Sequence, residues 1–311
     1  LMRVSETIAA ALFRKRTRRT KDKQTQEIQD QNEELNTLNQ NVLQNHKLLE
    51  IQTEQLKKKQ SDVLASITYA KRIQSALLPK KSNFANLFED SFIFDKPRDI
   101  VGGDFCWFME RSNLIFVIAG DCTGHGVPGA FMTVIANNII DDIIKERGYV
   151  IPNQILDSLD KGIKKALHQG KTKNNDGMDL SLAVIDKADQ RIYFSGASSP
   201  LVYLTQEGEL TEVKGTRRHI GGSQITKKQD DFKLEIINIE KGSWIYLFTD
   251  GYRDQFRDET QKYGKKRFRE LLSSLYKLTG KEQHQRLESV LDSWSGNHKQ
   301  IDDILCVGFK L

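Results

Sequence analysis

Five aspartates fall where apolar runs begin or end. Asp121 closes NLIFVIAGD, Asp250 closes SWIYLFTDG, Asp302 and Asp303 open IDDILCVGF, and Asp104 follows Val101-Gly102-Gly103. Carboxylates at the ends of buried strands are costly to desolvate without partners. Gly102, Gly103, Gly120 and Gly251 stand beside them, where glycine lets backbone approach closely or turn with positive φ. No Lys or Arg is placed repeatedly next to these acids. If they converge, they must either raise one another's pKa or hold cations. An oxygen-only donor set suits Mg²⁺ or Mn²⁺ better than zinc. Taken singly, a strand-end Asp is more often a turn or cap residue.

The elements that would bring these acids together lie beyond about residue 92. Leu114–Ala119, Leu180–Ile185, Arg191–Phe194, Leu201–Leu204, Phe232–Ile239, Trp244–Phe248 and Ile304–Phe309 read as strands, short apolar runs bounded by turn residues. Lys187–Gln190 and Gln206–Glu209 are hairpin-sized links. Three stretches carry the i, i+3, i+4, i+7 stripe of a surface helix: Phe131–Ile139, Phe268–Leu275 and Leu287–Trp294. Strands follow one another in runs rather than alternating with helices. That order favours an α+β fold of antiparallel sheets covered by helices.

Residues 1–78 are a different material. They contain none of the 21 glycines and five prolines, and only two of the 26 aromatic residues. They hold 14 Lys/Arg against 9 Asp/Glu, the whole net charge of +5, while residues 79–311 balance at 33 against 33. Ile28, Leu35, Val42, Leu49, Leu56, Val63, Ala70 and Leu77 repeat every seven residues, which predicts a left-handed coiled coil. The second line of the heptad is poor, with Gln31, Asn45, Gln52, Lys59 and Ser66 among Leu38 and Ile73. Buried amides and charges there would weaken the pairing and narrow its register. One reading is a plain dimerisation rod through residues 28–77. The other is a marginal rod about 75 Å long, at ~1.5 Å per residue, whose pairing shifts in response to something upstream.

Ahead of the heptads, Ile8–Phe13 is followed by a basic run from Arg14 to Lys23. Two readings are open: the cytoplasmic end of a membrane helix below a sensor, or a solvated helix start or appended sequence. The chain opens on Leu rather than Met, so it is expected to be a piece of a longer one. No apolar run is expected to reach the ~20 residues of a membrane span. Three scattered cysteines argue for a reducing, cytoplasmic compartment without disulfides.

PRDIVGGDFCWF (97–108), GDCTGHGVPGAFM (120–132), FTDGY (248–252) and DDILCVGF (302–309) occur in that order. With these motifs the chain resembles the metal-dependent serine/threonine protein phosphatases of the PPM or type 2C superfamily, specifically the bacterial SpoIIE-like branch. The text SITYAKRIQSALLP (66–79) is similar to the lead-in of such domains after a coiled-coil linker. The resemblance implies residues 79–311 as the phosphatase domain, an αββα sandwich of two antiparallel sheets flanked by helices, with two divalent ions, Mn²⁺ or Mg²⁺, at one end. By the same resemblance Asp121 bridges both ions, the carbonyl of Cys122 completes a ligand set, Asp104 serves one ion, and Asp250 and Asp302 serve the other. Asp303 matches a position that is usually not a ligand.

Two cations about 4 Å apart would share a water, lower its pKa and aim it at phosphorus, displacing the seryl or threonyl oxygen in line. The implied partner is a phosphoserine or phosphothreonine protein, with a STAS-type regulator as the branch's pattern.

Departures from the pattern carry expectations too. Gly103 stands where members outside the branch often have Glu, so the first ion's shell rests more on water. His125 lies two places later than the general-acid histidine of eukaryotic members, and is weighed as a leaving-group acid against a loop role. Arg98 is a candidate for substrate phosphate against a solvated loop Arg, and Asp179 a candidate accessory metal ligand. Cys106, Cys122 and Cys306 read as small core side chains rather than nucleophiles. A nucleic-acid partner is not expected from a neutral globular part, nor a nucleoside triphosphate without a Gly-rich loop bearing Lys. The alternatives are a phosphatase-like module that binds a phosphoprotein without turnover, kept open by Gly103 and the basic GTRRHIGG segment (215–222), and a metal-dependent phosphoesterase acting on small molecules.

Overall fold

Alternation along the strands sets the architecture. The structure is a computed structural model that describes residues 2–222 and 230–311. A first helix, α1 (Met2–Leu77), precedes a 3₁₀ turn at Lys81–Asn86. Strands β1 (Asp90–Lys96), β2 (Asp104–Arg111) and β3 (Leu114–Cys122) lead into α2 (Gly126–Asp141), a π turn at Asp142–Glu146 and α3 (Pro152–Ala166). There follow β4 (Gly177–Asp186), β5 (Arg191–Ala197), β6 (Leu201–Leu204), β7 (Leu210–Val213), β8 (Ile220–Gly221), β9 (Glu235–Asn238) and β10 (Trp244–Phe248). Helices α4 (Gly251–Asp254), α5 (Gly264–Ser273) and α6 (Gly280–Ser295) precede the final strand β11 (Ile304–Lys310).

One sheet runs β1-β11-β10-β6-β7 and the other β2-β3-β4-β5-β9, with β8 on β4. Every strand pair is antiparallel. Successive side chains point to opposite faces, so each sheet has an inner and an outer set. Ile115, Val117, Ala183, Ile185, Ile245, Leu247, Leu305 and Val307 form the inner core shared by both sheets. Phe116, Ile118, Leu182 and Val184 pack outward with Ile140, Ile155, Leu159 and Ile163 from α2, α3 and their link. Tyr246, Phe248, Ile304 and Cys306 pack outward with Phe268, Leu272, Leu287 and Leu291 from α5 and α6. This is the expected αββα sandwich.

Several elements differ from the sequence expectation. β2 is buried on both faces along its first five residues, which hides the two-residue period. α3 contains Gly162, and an isolated glycine weakens a helical pattern; here a Cβ would come within 2.7 Å of Ile139 Cγ2, so the glycine permits close helix packing. The strand expected over Phe232–Ile239 is confined to Glu235–Asn238, because Phe232 lies instead under the Arg218 guanidinium, 4.1 Å from it. Residues Gly126–Glu146 are apolar enough to pass a membrane-span test of length and hydropathy, contrary to expectation, yet half of that window is buried within the domain.

The chain divides into two compact units, Leu1–Ala65 and Ser66–Leu311. The second opens before the composition break at Pro79, because the last turns of α1 pack with it: Gln74 is buried and hydrogen-bonded. In the first unit the heptad residues Ile28, Leu35, Val42, Leu49, Leu56 and Val63 are all exposed along the helix.

Candidate active site

The acid cluster continues the inner core rather than interrupting it. Following the inward set of β3 gives Ile115, Val117, Ala119 and then Asp121. The inward set of β2, read backwards, gives Phe108, Cys106 and Asp104, and that of β4 gives Ile185, Ala183, Ser181 and Asp179. The register pairs Asp104 with Asp121 and Asp121 with Asp179. Three carboxylates therefore lie side by side across three neighbouring strands, where directly opposed residues have Cβ atoms about 5 Å apart. The other sheet supplies Asp250, just past β10 at the start of α4, and Asp302, just before β11.

Like charges so placed repel unless protonated or neutralised. Burial is the main force raising the Asp121 carboxyl to about 8, with Asp250 and then Asp302 adding to it. Asp104 is pushed well up by burial and then by Asp121, against the Thr249 hydroxyl, which donates to its Oδ2 at 2.6 Å. Asp302 is raised by burial and by Asp250, against the Asp303 amide that it accepts at 2.9 Å. Asp179 is raised by burial, and the bond from His219 opposes that. Burial and neighbouring carboxylates thus raise Asp104, Asp121, Asp302 and Asp179, with Asp250 among the charges acting on the last three.

Asp303 has a separate task. Buried within the sandwich, its carboxylate accepts the amides of Arg98 at 2.7 Å and Gly103 at 2.6 Å, tying the loop before β2 to β11. Gly103 is dictated by crowding: a Cβ there would stand 2.5 Å from the Gly124 carbonyl and 3.1 Å from that of Cys122. A Glu at this position has no room, which explains the departure noted in the sequence.

A cavity of about 650 Å³ opens on the cluster, lined by Asp121, Cys122, His125, Asp179, Arg217, His219 and Asp302 among others. His125 lines it from the loop before α2 with Nδ1 2.9 Å from Asp99 Oδ2. Arg98, a candidate for substrate phosphate, is engaged elsewhere: its Nη1 donates to the Ile301 carbonyl at 2.9 Å, and it is not among the cavity's lining residues. The arginine that does line the cavity is Arg217. Arg217 and His219 were visible in the sequence only as part of a basic segment. Burial holds the Cys122 thiol well up, as it does Cys106 and Cys306, which leaves all three as core side chains.

The donors that could hold hard cations are Asp104, Asp121, Asp250, Asp302 and the Cys122 carbonyl, with Asp179 beside them. Among the described residues no three His, Cys, Asp or Glu side chains close on a common point. An oxygen-only donor set completed by water suits Mg²⁺ or Mn²⁺, and it lacks the sulfur and nitrogen donors of a closed zinc site. Close by, Gln74 Nε2 donates to the Gly102 carbonyl and to Thr133 Oγ1, both at 2.8 Å. The end of α1 is thereby bonded to the loop that carries Asp104 and to α2.

The family model for stage II sporulation protein E (SpoIIE) matches residues 111–311. The chain belongs to the SpoIIE family. The matched stretch carries Asp121, Asp250 and Asp302, while Asp104 lies just ahead of it. Among solved structures, the SiaA-PP2C domain of Pseudomonas aeruginosa is 34% identical, with a TM-score of 0.73 over 81% of this chain and 98% of that one. The PP2C phosphatase domain with a regulatory-domain fragment of SpoIIE from Bacillus subtilis shares the fold at 14% identity and a TM-score of 0.58, over 71% and 63%. The RsbU and RsbW domains of Rv1364c from Mycobacterium tuberculosis do so at 16% and 0.55, over 72% and 60%. No curated protein sequence matches the chain. The SpoIIE-family domain described here therefore has the PP2C-type phosphatase fold.

Proposed function

We propose that this SpoIIE-family chain is a metal-dependent protein serine/threonine phosphatase, cytoplasmic, acting on a phosphorylated regulatory protein of STAS type. The observation that carries this reading is the row of carboxylates from both sheets that raise one another's pKa at the mouth of one cavity. Two divalent ions, Mn²⁺ or Mg²⁺, would supply when bound a water of lowered pKa and neutralisation of the phosphoryl oxygens. Asp121, Asp104, Asp250, Asp302 and the Cys122 carbonyl are the residues that would hold these ions, with Asp121, central in the row, as the carboxylate both would use. Thr249 orients Asp104 by occupying one of its oxygens. His125, bonded to Asp99 through Nδ1, keeps Nε2 for a proton at the leaving seryl oxygen. Asp179, committed to His219, is left as an accessory position.

Regulation belongs to the same reading. The exposed heptad residues of α1 support pairing with a second copy. Gln74 reaches the carbonyl two residues before Asp104, so the state of the rod can reach the acid cluster through one side chain. A displacement of about 1 Å there is enough to cost ~100-fold.

The test is hydrolysis of a phosphoserine peptide and of p-nitrophenyl phosphate by the full chain with Mn²⁺ or Mg²⁺. Turnover abolished by a chelator is expected, with Asp250→Ala and Asp302→Ala each slower by at least about 100-fold. Undiminished turnover in either variant would refute the site. Metal-dependent capture of the phosphopeptide without turnover would favour a binding module instead.

A further inference from the structure

The segment GTRRHIGG (215–222) is strongly basic, and the phosphatase reading gives Arg217 no role beyond lining the cavity. Its residues alternate: Thr216, Arg218 and Ile220 are buried, while Arg217 and His219 are exposed. The buried side is pinned to α3. Arg218 Nη2 donates to Asp160 Oδ2 at 2.8 Å, its Nη1 reaches Asp157 Oδ1 at 3.1 Å, and its guanidinium covers the Phe232 ring. The other oxygen of Asp160 accepts the Gly221 amide at 2.8 Å. A desolvated ion pair of this kind adds little net stability and holds its partners in one geometry. Backbone is therefore held on both sides of position 219, and in extended chain the opposite face is held with it.

That opposite face lines the acid cavity. His219 Nδ1 meets Asp179 Oδ1, so the histidine is engaged with the row of carboxylates. Arg217 is different. It is the one Arg or Lys lining the cavity, and it makes no ion pair, among the described residues. With cations on the carboxylates, a phosphate monoester dianion would meet positive charge on that side and still have oxygens to satisfy on the other. The planar guanidinium fork matches two such oxygens at once.

We propose that Arg217 is the phosphoryl-binding residue of this site, taking non-bridging oxygens of a phosphate monoester, with Arg218 and Asp160 as the buried pair that positions it. The proposal rests on the metal-dependent phosphatase reading above.

The experiment measures binding of inorganic phosphate to the full chain with Mn²⁺ by calorimetry, together with KM for the phosphoserine peptide. Arg217→Ala should weaken phosphate and raise KM by at least about tenfold, about 1.4 kcal/mol, with Mn²⁺ affinity unchanged. Arg217→Lys, which keeps the charge and loses the fork, should fall between. The side chain is exposed, so both variants should melt as the parent does. Arg218→Lys should also weaken phosphate while leaving Mn²⁺ affinity in place; unchanged phosphate affinity in that folded variant would remove the positioning role. Equal phosphate affinity and KM in Arg217→Ala and parent would overturn the proposal and leave the phosphatase reading standing. A parent chain that neither binds phosphate nor hydrolyses the peptide with Mn²⁺ would bring down both.

Discussion

At the scale of single residues, the acid cluster makes its own pH dependence. Asp121 is pushed from 3.8 to about 8 by burial and by its acidic neighbours. A carboxyl with a higher pKa in the folded than in the unfolded chain binds more protons when folded, so its contribution to stability is present at low pH and lost as pH rises through the folded value. The metal-free chain is therefore expected to lose melting temperature between pH 5 and about 8. Asp121→Asn, which cannot ionise, should flatten that decline, and Mn²⁺ should raise the parent's melting temperature at pH 8. Parallel curves for the variant and parent, without metal, would contradict the coupling. The residues of this cluster were legible because carboxylates beside glycine at the ends of apolar runs have few inexpensive explanations. Thr249 was not, nor was the part Asp303 plays in accepting the Arg98 and Gly103 amides, since a group that orients a neighbour has no signature apart from the neighbour.

At the scale of elements, each strand that carries an acid was readable where one face met solvent or helix in a regular period. β2 was not, being buried on both faces, and α3 was masked by Gly162, a concession to the packing of α2 that local propensity does not register. Arg217 was missed for a related reason: a basic run looks like a solvated face until α3 claims alternate residues of it. That claim can be tested by itself. Asp160→Ala would leave Arg218 buried with Asp157 alone and free the Gly221 amide. Breaking a buried pair on one side costs about 3–5 kcal/mol, and the low end is expected here because Asp157 remains. Urea unfolding of the variant reads it, and a loss below about 1 kcal/mol would show that the segment is not anchored by this pair.

At the scale of the whole molecule, the two units make separate predictions. The heptad residues of α1 leave a continuous apolar line exposed along residues 28–63, and the full chain is expected to scatter light with twice the single-chain mass. Leu49→Lys with Leu56→Lys should halve that mass, since two charges in the line oppose pairing. A parent already at single-chain mass would refute the dimer. In the second unit, Gln74→Leu removes both bonds to Gly102 and Thr133, and Mn²⁺ affinity is expected to fall about tenfold or more in calorimetry. Unchanged affinity would mean that the helix end does not govern the Asp104 loop. A chain beginning at Pro79 should reproduce the Gln74→Leu deficit, because it lacks the same side chain.

Asp104, Asp121 and Asp179 occupy the same inward set as the core residues further along β2, β3 and β4. Which side of the sheet they face is thus a matter of parity, odd or even along the chain. A single-residue insertion in β2 or β3 would slide the strand by one place and turn its carboxylate toward the helices, at the same stroke sending Phe105 or Gly120 into the cavity. Over evolutionary time, length changes should therefore accumulate in the turns beyond Arg111 and Asp186 and be purged between those turns and the acids.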